Sequence, residues 1–169
     1  QGGSGFSIEN MIKQVLKGIA ILLALTVGTL FVFYLNRSDP WGQIPGKRLA
    51  GEEITESIED WSFTQQARGV TIEVRPSAPY SVNISSLFHD GAFYGLATSI
   101  ENRWMQFLIQ DPNIRFRVED ELYPGRATVV EDPQLVEDLF ETLSQKYRGG
   151  ADRTPEQKAR YRFILIGSR

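Results

Sequence analysis

From Gly18 to Leu35 the chain runs eighteen residues without a charge, GIAILLALTVGTLFVFYL. As an α-helix this run is about 27 Å long at a rise of ~1.5 Å per residue. That nearly matches the ~30 Å hydrocarbon core of a bilayer, and Val15 and Leu16 extend the run. No water is present at that depth, so the backbone must satisfy its own hydrogen bonds, which a helix does. A helix buried in a globular core would normally show a polar face. A cleaved signal peptide would have a shorter apolar stretch and a small-x-small cleavage site, whereas NRSDPWG follows here. The sequence therefore predicts a retained single-pass anchor over residues 11–36. Tyr34 and Trp41 suit the far membrane interface, where amphipathic rings settle.

Residues 1–10 stand apart. Gln1–Gly5 (QGGSG) reads as a protease-site and linker remnant, with natural sequence expected from about Met11. Lys13 and Lys17 precede the span, Arg37 follows it, and Lys47 and Arg48 come later. This balance slightly favours an inside N-terminus. The expected location is the inner membrane of a bacterium, with the C-terminal domain in the periplasm. Residues 37–52, rich in Pro and Gly and without periodicity, read as a juxtamembrane linker. Residues 53–169 are left for one soluble domain.

Composition narrows the chemistry of that domain. Without cysteine there are no disulfides, thiolate metal sites or cysteine nucleophiles. A single histidine, His89, rules out a multi-histidine metal site within one chain. The formal charge is -3 and no long basic run occurs, so nucleic acid is not an expected partner. No phosphate loop, nucleophile elbow or metal motif is present.

Within the domain, Glu53–Trp61 is either a short helix or an extended arm, with Ile54, Ile58 and Trp61 covering one end of the core. Apolar–polar alternation marks strands at Val70–Val74 and Tyr80–Leu87. His89-Asp90-Gly91 is a hairpin turn leading into a strand at Ala92–Ala97. Thr98-Ser99 caps a helix over Glu101–Gln110, which Asp111-Pro112 ends. Ile114–Val118 is a strand, with Arg115 and Arg117 on a face that either lines a groove or, as the preferred reading, is solvated and paired with Glu119 or Asp120. Leu122-Tyr123-Pro124-Gly125 reads as a turn before a strand at Arg126–Val130. Asp132-Pro133 opens a helix with an apolar stripe of Leu135, Val136, Leu139, Phe140, Leu143 and Tyr147, which Gly149-Gly150 stops. Tyr161–Ile166, apolar on both faces, is the last strand. The predicted fold is mainly β (α+β): a split antiparallel barrel of about six strands with two main helices, behind one transmembrane helix. His89 is expected to be a solvated turn residue.

The order of these pieces resembles the split β-barrel flavoproteins, which include the pyridoxamine-phosphate-oxidase-like proteins and the deazaflavin-dependent nitroreductases. The carrying features are Asp90-Gly91, the strand ending Ala97-Thr98-Ser99, Arg103-Trp104 near a helix start, DPNIRFRV, GRATVVEDP, and a helix ending in Lys146-Tyr147. The resemblance covers about sixty residues and rests on order and spacing. It implies a commonly dimeric barrel that binds FMN or a deazaflavin in a groove. Carried over by position, the cofactor phosphate falls to Thr98, Ser99, Asn102 and Arg103, with Trp104 beside them. The deazaflavin branch has a Gly-Arg-Lys-Ser-Gly-like segment where this chain has VRPSAPYSV, leaving Arg75 and Ser77 as the candidate groups there.

Two functions follow and the sequence leaves both open, including whether the protein is an enzyme. One is a membrane-anchored flavin- or deazaflavin-binding oxidoreductase. The other is a cofactor-free accessory subunit of a membrane complex, or a homodimer, with the span itself as a docking surface through the small residues Gly18 and Gly28.

Overall fold

The computed structural model describes residues 8–147 and 153–169. Gln1–Gly5 and the Gly149-Gly150 pair lie outside the described residues. Two units separate at Arg37: residues 1–37 and Ser38–Arg169.

The first unit is helix α1, Ile8–Asn36, none of whose residues is buried. It is apolar all round, and by length and composition it is able to cross a membrane. Its two threonines return their hydroxyl protons to the helix: Thr26 to the Leu22 carbonyl and Thr29 to the Leu25 carbonyl, both at 2.9 Å. The two threonine hydroxyls are thus satisfied without outside partners.

The second unit is a closed six-stranded antiparallel barrel in the order β1-β2-β3-β6-β5-β4. The strands are β1 (Gly69–Val74), β2 (Tyr80–His89), β3 (Ala92–Ala97), β4 (Asn113–Val118), β5 (Glu121–Val129) and β6 (Arg162–Ser168). Helices α2 (Arg103–Gln110), α3 (Pro133–Lys146) and α4 (Pro155–Arg160) complete it. The expected split-barrel architecture is the one observed. Closure leaves the core strands without a long exposed edge.

Alternation along the strands sorts side chains into two layers. Val70, Ile72, Val74, Phe93, Ala97, Ile114, Phe116, Val118, Tyr123, Ile164 and Ile166 fill the interior. Leu87, Tyr94, Leu96 and Phe163 point outward and meet Leu139, Phe140 and Leu143 of α3. That second layer explains why the last strand is apolar on both faces. The arm Glu53–Trp61 is extended, and Ile54, Ile58 and Trp61 close one end of the interior. Trp61 stacks on Phe93 and Phe116, each at 5.8 Å.

Most elements fall where the sequence places them. Asp90 and Gly91 both have positive φ, as the tight hairpin needs. Asp132 caps α3 by accepting the Gln134 and Leu135 N–H groups. Three expectations need correcting. Leu122–Gly125 is not a turn: it lies within β5, and Glu119-Asp120 makes the reversal. Pro124 is tolerated there because β6 ends opposite Gly125, so no β6 rung is lost. His89 is half-buried and its Nδ1 lies 2.8 Å from the Thr142 hydroxyl. That hydroxyl also lies 3.0 Å from the Asp138 carbonyl, so the ring is tied to α3.

The third correction is the largest. Arg115 is neither solvated nor paired with Glu119 or Asp120. It is 8 % exposed, beside a Glu73 that is 1 % exposed, on the outer wall of the barrel. What buries them is the stretch read as a linker. Residues 38–54 form a strap across β1, β2 and β4. Arg115 Nη1 donates to Glu73 Oε2 at 2.8 Å, and its Nε to Glu53 Oε1 at 2.5 Å. The Leu49 N–H donates to the same Glu73 oxygen at 2.6 Å, and the Leu49 carbonyl accepts from Arg115 at 3.1 Å. Arg117 pairs with Asp39 at 2.7 Å. Gly46 exchanges backbone hydrogen bonds with Ser81 at 2.8 and 3.3 Å, and the Ile54 N–H reaches the Leu122 carbonyl at 2.8 Å. Only glycine fits at 46: a Cβ there would sit 2.5 Å from Ser81 Oγ and from Pro40 N.

Removing one partner of a buried ion pair strands the other. Glu73→Ala should therefore cost about 3–5 kcal/mol in denaturant unfolding of the detergent-solubilised chain, and Glu73→Leu with Arg115→Met far less. A second expectation concerns alkali. Tyr123 is 7 % exposed, and its hydroxyl donates to the Glu121 carboxylate. Burial, helped by that carboxylate, pushes its pKa up to about 12. The unfolded tyrosine ionises near ~10. The stability this group contributes is complete below pH ~10 and is lost as pH rises through about 12. Tyr123→Phe should flatten that alkaline loss in thermal melts.

Candidate functional site

The barrel opens at one seam. β2 pairs with β1 from Tyr80 to Ser85, but with β3 only from Ser85 onward. Tyr80–Ile84 therefore has a strand on one side only. On the other side, β3 ends at Ala97 and the chain turns away through Thr98–Asn102 into α2. A cleft of about 570 Å³ fills the gap, within the ~300–1,000 Å³ usual for small-molecule sites.

Three elements line the cleft. The free half of β2 supplies Tyr80, Val82, Asn83 and Ile84, the connection after β3 supplies Thr98, Asn102, Arg103 and Trp104, and the strap supplies Gly42–Pro45. The strap closes one end of the exposed β2 edge through the Gly46–Ser81 rung; the Ser85–Leu96 pair closes the other. Strand alternation directs the Asn83 N–H and C=O toward the same side as those of Ser81 and Ser85. One peptide donor and one acceptor thus face the cleft with no strand partner. The Asn83 side chain is fixed, accepting from the Thr71 hydroxyl at 2.8 Å and donating to the Gly42 carbonyl at 3.3 Å.

Of the residues singled out from sequence, Thr98, Asn102, Arg103 and Trp104 come together in the cleft wall. Asn102 Nδ2 donates to Thr98 Oγ1 at 3.1 Å. α2 begins at Arg103, two residues later than expected, and Asn102 occupies the cap position without a side-chain cap bond. Ser99 does not line the cleft; its Oγ accepts the Glu101 N–H at 3.1 Å. Trp104 is 6 % exposed and belongs mainly to the interior core.

Arg75 lies beside the cleft, not in its wall. Its Nε donates to the Ala78 carbonyl at 2.7 Å, and its guanidinium sits 4.0 Å from the centroid of Phe107. Arg103 approaches the same ring at 5.5 Å, and Tyr80 at 5.4 Å. Tyr80 and Phe107 meet edge to face at 5.6 Å. Two guanidinium groups and two rings thus share one rim. Among the described residues Arg103 makes no hydrogen bond or ion pair, so its donors are uncommitted.

Sequence reading missed Asn83 and the strap residues. The signal for Asn83 was the polar face Ser81-Asn83-Ser85 of its strand, which is ordinary for a barrel exterior. Gly42–Pro45 carried no periodic signal at all.

A larger cavity of about 690 Å³ lies between α3, α4, β5 and β6. Two of its cations are committed: Lys158 pairs with Glu137 at 2.7 Å, and Arg162 donates to the Ala159 and Tyr161 carbonyls. Arg153 also lines it, with its guanidinium 4.9 Å from the centroid of Tyr161. This cavity holds none of the residues that the sequence singled out, whereas the smaller cleft gathers four of them beside a free strand edge, and that makes the smaller cleft the better candidate. The Lys146-Tyr147 end of α3 is likewise structural. The Lys146 ammonium donates to the Ala67 carbonyl, and the Tyr147 hydroxyl reaches the carbonyls of Arg68 and Ser86. Burial lowers the Lys146 pKa, with Arg68 adding to the effect.

No family model matches the chain, and neither does any curated protein. Solved structures do. A conserved hypothetical protein from Mycobacterium tuberculosis matches with a TM-score of 0.52 at 18% identity, over 70% of this chain and 86% of that one. A FAD-binding protein from Mesorhizobium loti matches with a TM-score of 0.50 at 14% identity, over 68% and 90% of the two chains. The likeness at these identities is one of fold.

The shared rim gives a direct test of the geometry. Phe107→Leu removes the platform under Arg75 and Arg103, each exposed cation–π contact being worth about 0.5–1 kcal/mol. The expected loss is about 1–2 kcal/mol in thermal or denaturant unfolding, and Arg75→Ala should cost little further in the Phe107→Leu background.

Proposed function

We propose that the barrel binds a flavin or deazaflavin in the cleft between the free edge of β2 and the start of α2. The observation that carries this reading is the pairing of two features in one wall. The Asn83 peptide offers a donor and an acceptor side by side, which suits the alternating N–H and C=O edge of a flavin-type pyrimidine ring. The Thr98–Asn102–Arg103 group offers hydroxyl, amide and guanidinium donors, which suits a phosphate. Val82, Ile84, Leu96 and Trp104 provide apolar surface for a planar ring. The fold shared with a FAD-binding protein supports the reading.

In this reading the cofactor, when bound, supplies the redox chemistry. The chain's own residues bind and orient. Arg103 and Asn102 hold the anionic end, the Asn83 peptide fixes the ring edge, and the Gly42–Pro45 turn shields the cleft from water. The protein is then an oxidoreductase held at a membrane by α1, with its barrel on the periplasmic side of the inner membrane.

One observation favours the second reading, a cofactor-free accessory subunit or homodimer within a membrane complex. Arg75, the only basic candidate in VRPSAPYSV, is turned onto Phe107. That leaves Arg103 as the single cation in the cleft wall among the described residues.

An absorbance spectrum of the detergent-purified chain, followed by titration with FMN and a deazaflavin, decides between them. The proposal expects micromolar or tighter binding of one. Arg103→Ala should weaken it about tenfold or more, as hydrogen bonds to charged groups are worth about 1.5–3 kcal/mol. A colourless protein that binds neither would support the accessory reading.

A further inference from the structure

The turn at the head of the strap carries a tryptophan that packs little against the barrel. The Trp41 N–H donates to the Ile44 carbonyl at 3.0 Å, and the Ile44 N–H to the Trp41 carbonyl at 2.9 Å. Between them Gly42 takes a positive φ. The turn is therefore a closed two-residue hairpin that projects its end side chains. Trp41 is 71 % exposed and Ile44 is 42 % exposed. The other two tryptophans, Trp61 and Trp104, are packed against the interior. Lys47 and Arg48 follow the turn and are exposed as well.

Two further facts say what this surface meets. The turn is held firmly to the barrel, because Asp39 on one side and Gly46, Leu49 and Glu53 on the other fix the strap. It is also close along the chain to α1. Trp41 is five residues beyond Asn36, the last residue of that helix. An extended chain covers at most ~3.6 Å per residue, so the Trp41 Cα lies within about 18 Å of the helix end. An exposed indole and isoleucine flanked by exposed cations, tethered that near a bilayer-spanning segment, match a lipid headgroup layer. The indole takes the apolar–polar boundary and the exposed Arg48 takes a phosphate.

We infer that the Trp41–Ile44 turn is a second, interfacial membrane contact. It sets the exposed Trp41 and Ile44 side chains at the headgroup layer. Because Gly42–Pro45 is also a wall of the cleft, this contact places that wall at headgroup level. The inference rests on the reading of α1 as a membrane anchor, and is independent of whether the cleft holds a cofactor.

The chain has no cysteine, so one introduced thiol takes a label at one site. Three full-length variants, Trp41→Cys, Leu25→Cys and Glu141→Cys, would each carry an environment-sensitive fluorophore and be reconstituted into phosphatidylcholine–phosphatidylglycerol vesicles. Leu25 lies mid-helix in α1, and Glu141 is an exposed residue of α3. Aqueous iodide and lipids bearing a nitroxide near the headgroup or deep in the chain serve as quenchers. The expected result is a label at 41 quenched by the shallow nitroxide and several-fold less by iodide than the label at 141. Native tryptophan emission should contain a shallow-quenched component that Trp41→Phe removes. A label at 41 as open to iodide as that at 141, with Leu25 reached by the deep nitroxide, overturns the inference and leaves the anchor standing. A label at 41 shielded from iodide but untouched by either lipid quencher also overturns it, since a second copy or another protein then covers the turn. A label at 25 beyond reach of the deep nitroxide overturns the anchor reading and this one together.

Discussion

One buried ion pair outside the barrel decides where the segment before it goes. Glu73 of β1 and Arg115 of β4 stand opposite each other in register on the outer wall. Left uncovered they would be an ordinary surface pair, worth little. The strap covers them, and its own Leu49 amide and Glu53 carboxylate complete the set. Burial makes the arrangement exacting. Glu73 Oε1 and Ser81 Oγ, both buried, lack a hydrogen-bond partner among the described residues. A layer of this kind adds little net stability compared with apolar packing, but it penalises any other placement of the strap.

The rest of the site depends on that placement. β3 leaves β2 after the Ser85–Leu96 pair, because the chain must turn outward into α2. The exposed half of β2 would be a bare edge open to pairing with another chain. The strap blunts it with one rung at Gly46 and then turns back through Gly42–Pro45 to form the cleft's third wall. What remains uncovered is short: the Asn83 peptide beside the Thr98–Arg103 group. Edge protection and site construction are therefore the same event.

The sequence made legible whatever obeys a period or a local rule. Alternation marked β1, β2 and β4, Asp90-Gly91 marked the hairpin, and Asp132-Pro133 marked α3. Four of the six residues picked for the site, Thr98, Asn102, Arg103 and Trp104, do converge. The failures have a common cause in partners that no local pattern names. Leu122–Gly125 looked like a turn because of Pro124 and Gly125, yet cross-strand pairing with β4 holds it extended. Arg115 was assigned neighbours in sequence, Glu119 and Asp120, when its partners are Glu53 and Glu73. The strap makes most of its contacts through single backbone groups and isolated charges, and those leave no period to read. Arg75 was read as a phosphate-binding candidate, but its guanidinium follows Phe107, which no local pattern specifies.

The central claim is that residues 38–54 belong to the barrel, latched by Glu73 and Arg115, and are not a free tether. Amide hydrogen exchange on the intact chain tests this residue by residue. The account predicts that the Leu49 amide, bonded to Glu73 of β1, and the Gly46 amide, bonded to Ser81 of β2, exchange as slowly as the β1 amides, since all open only when the barrel does. Exchange at those two amides as fast as at exposed loop positions, with β1 still protected, would contradict it.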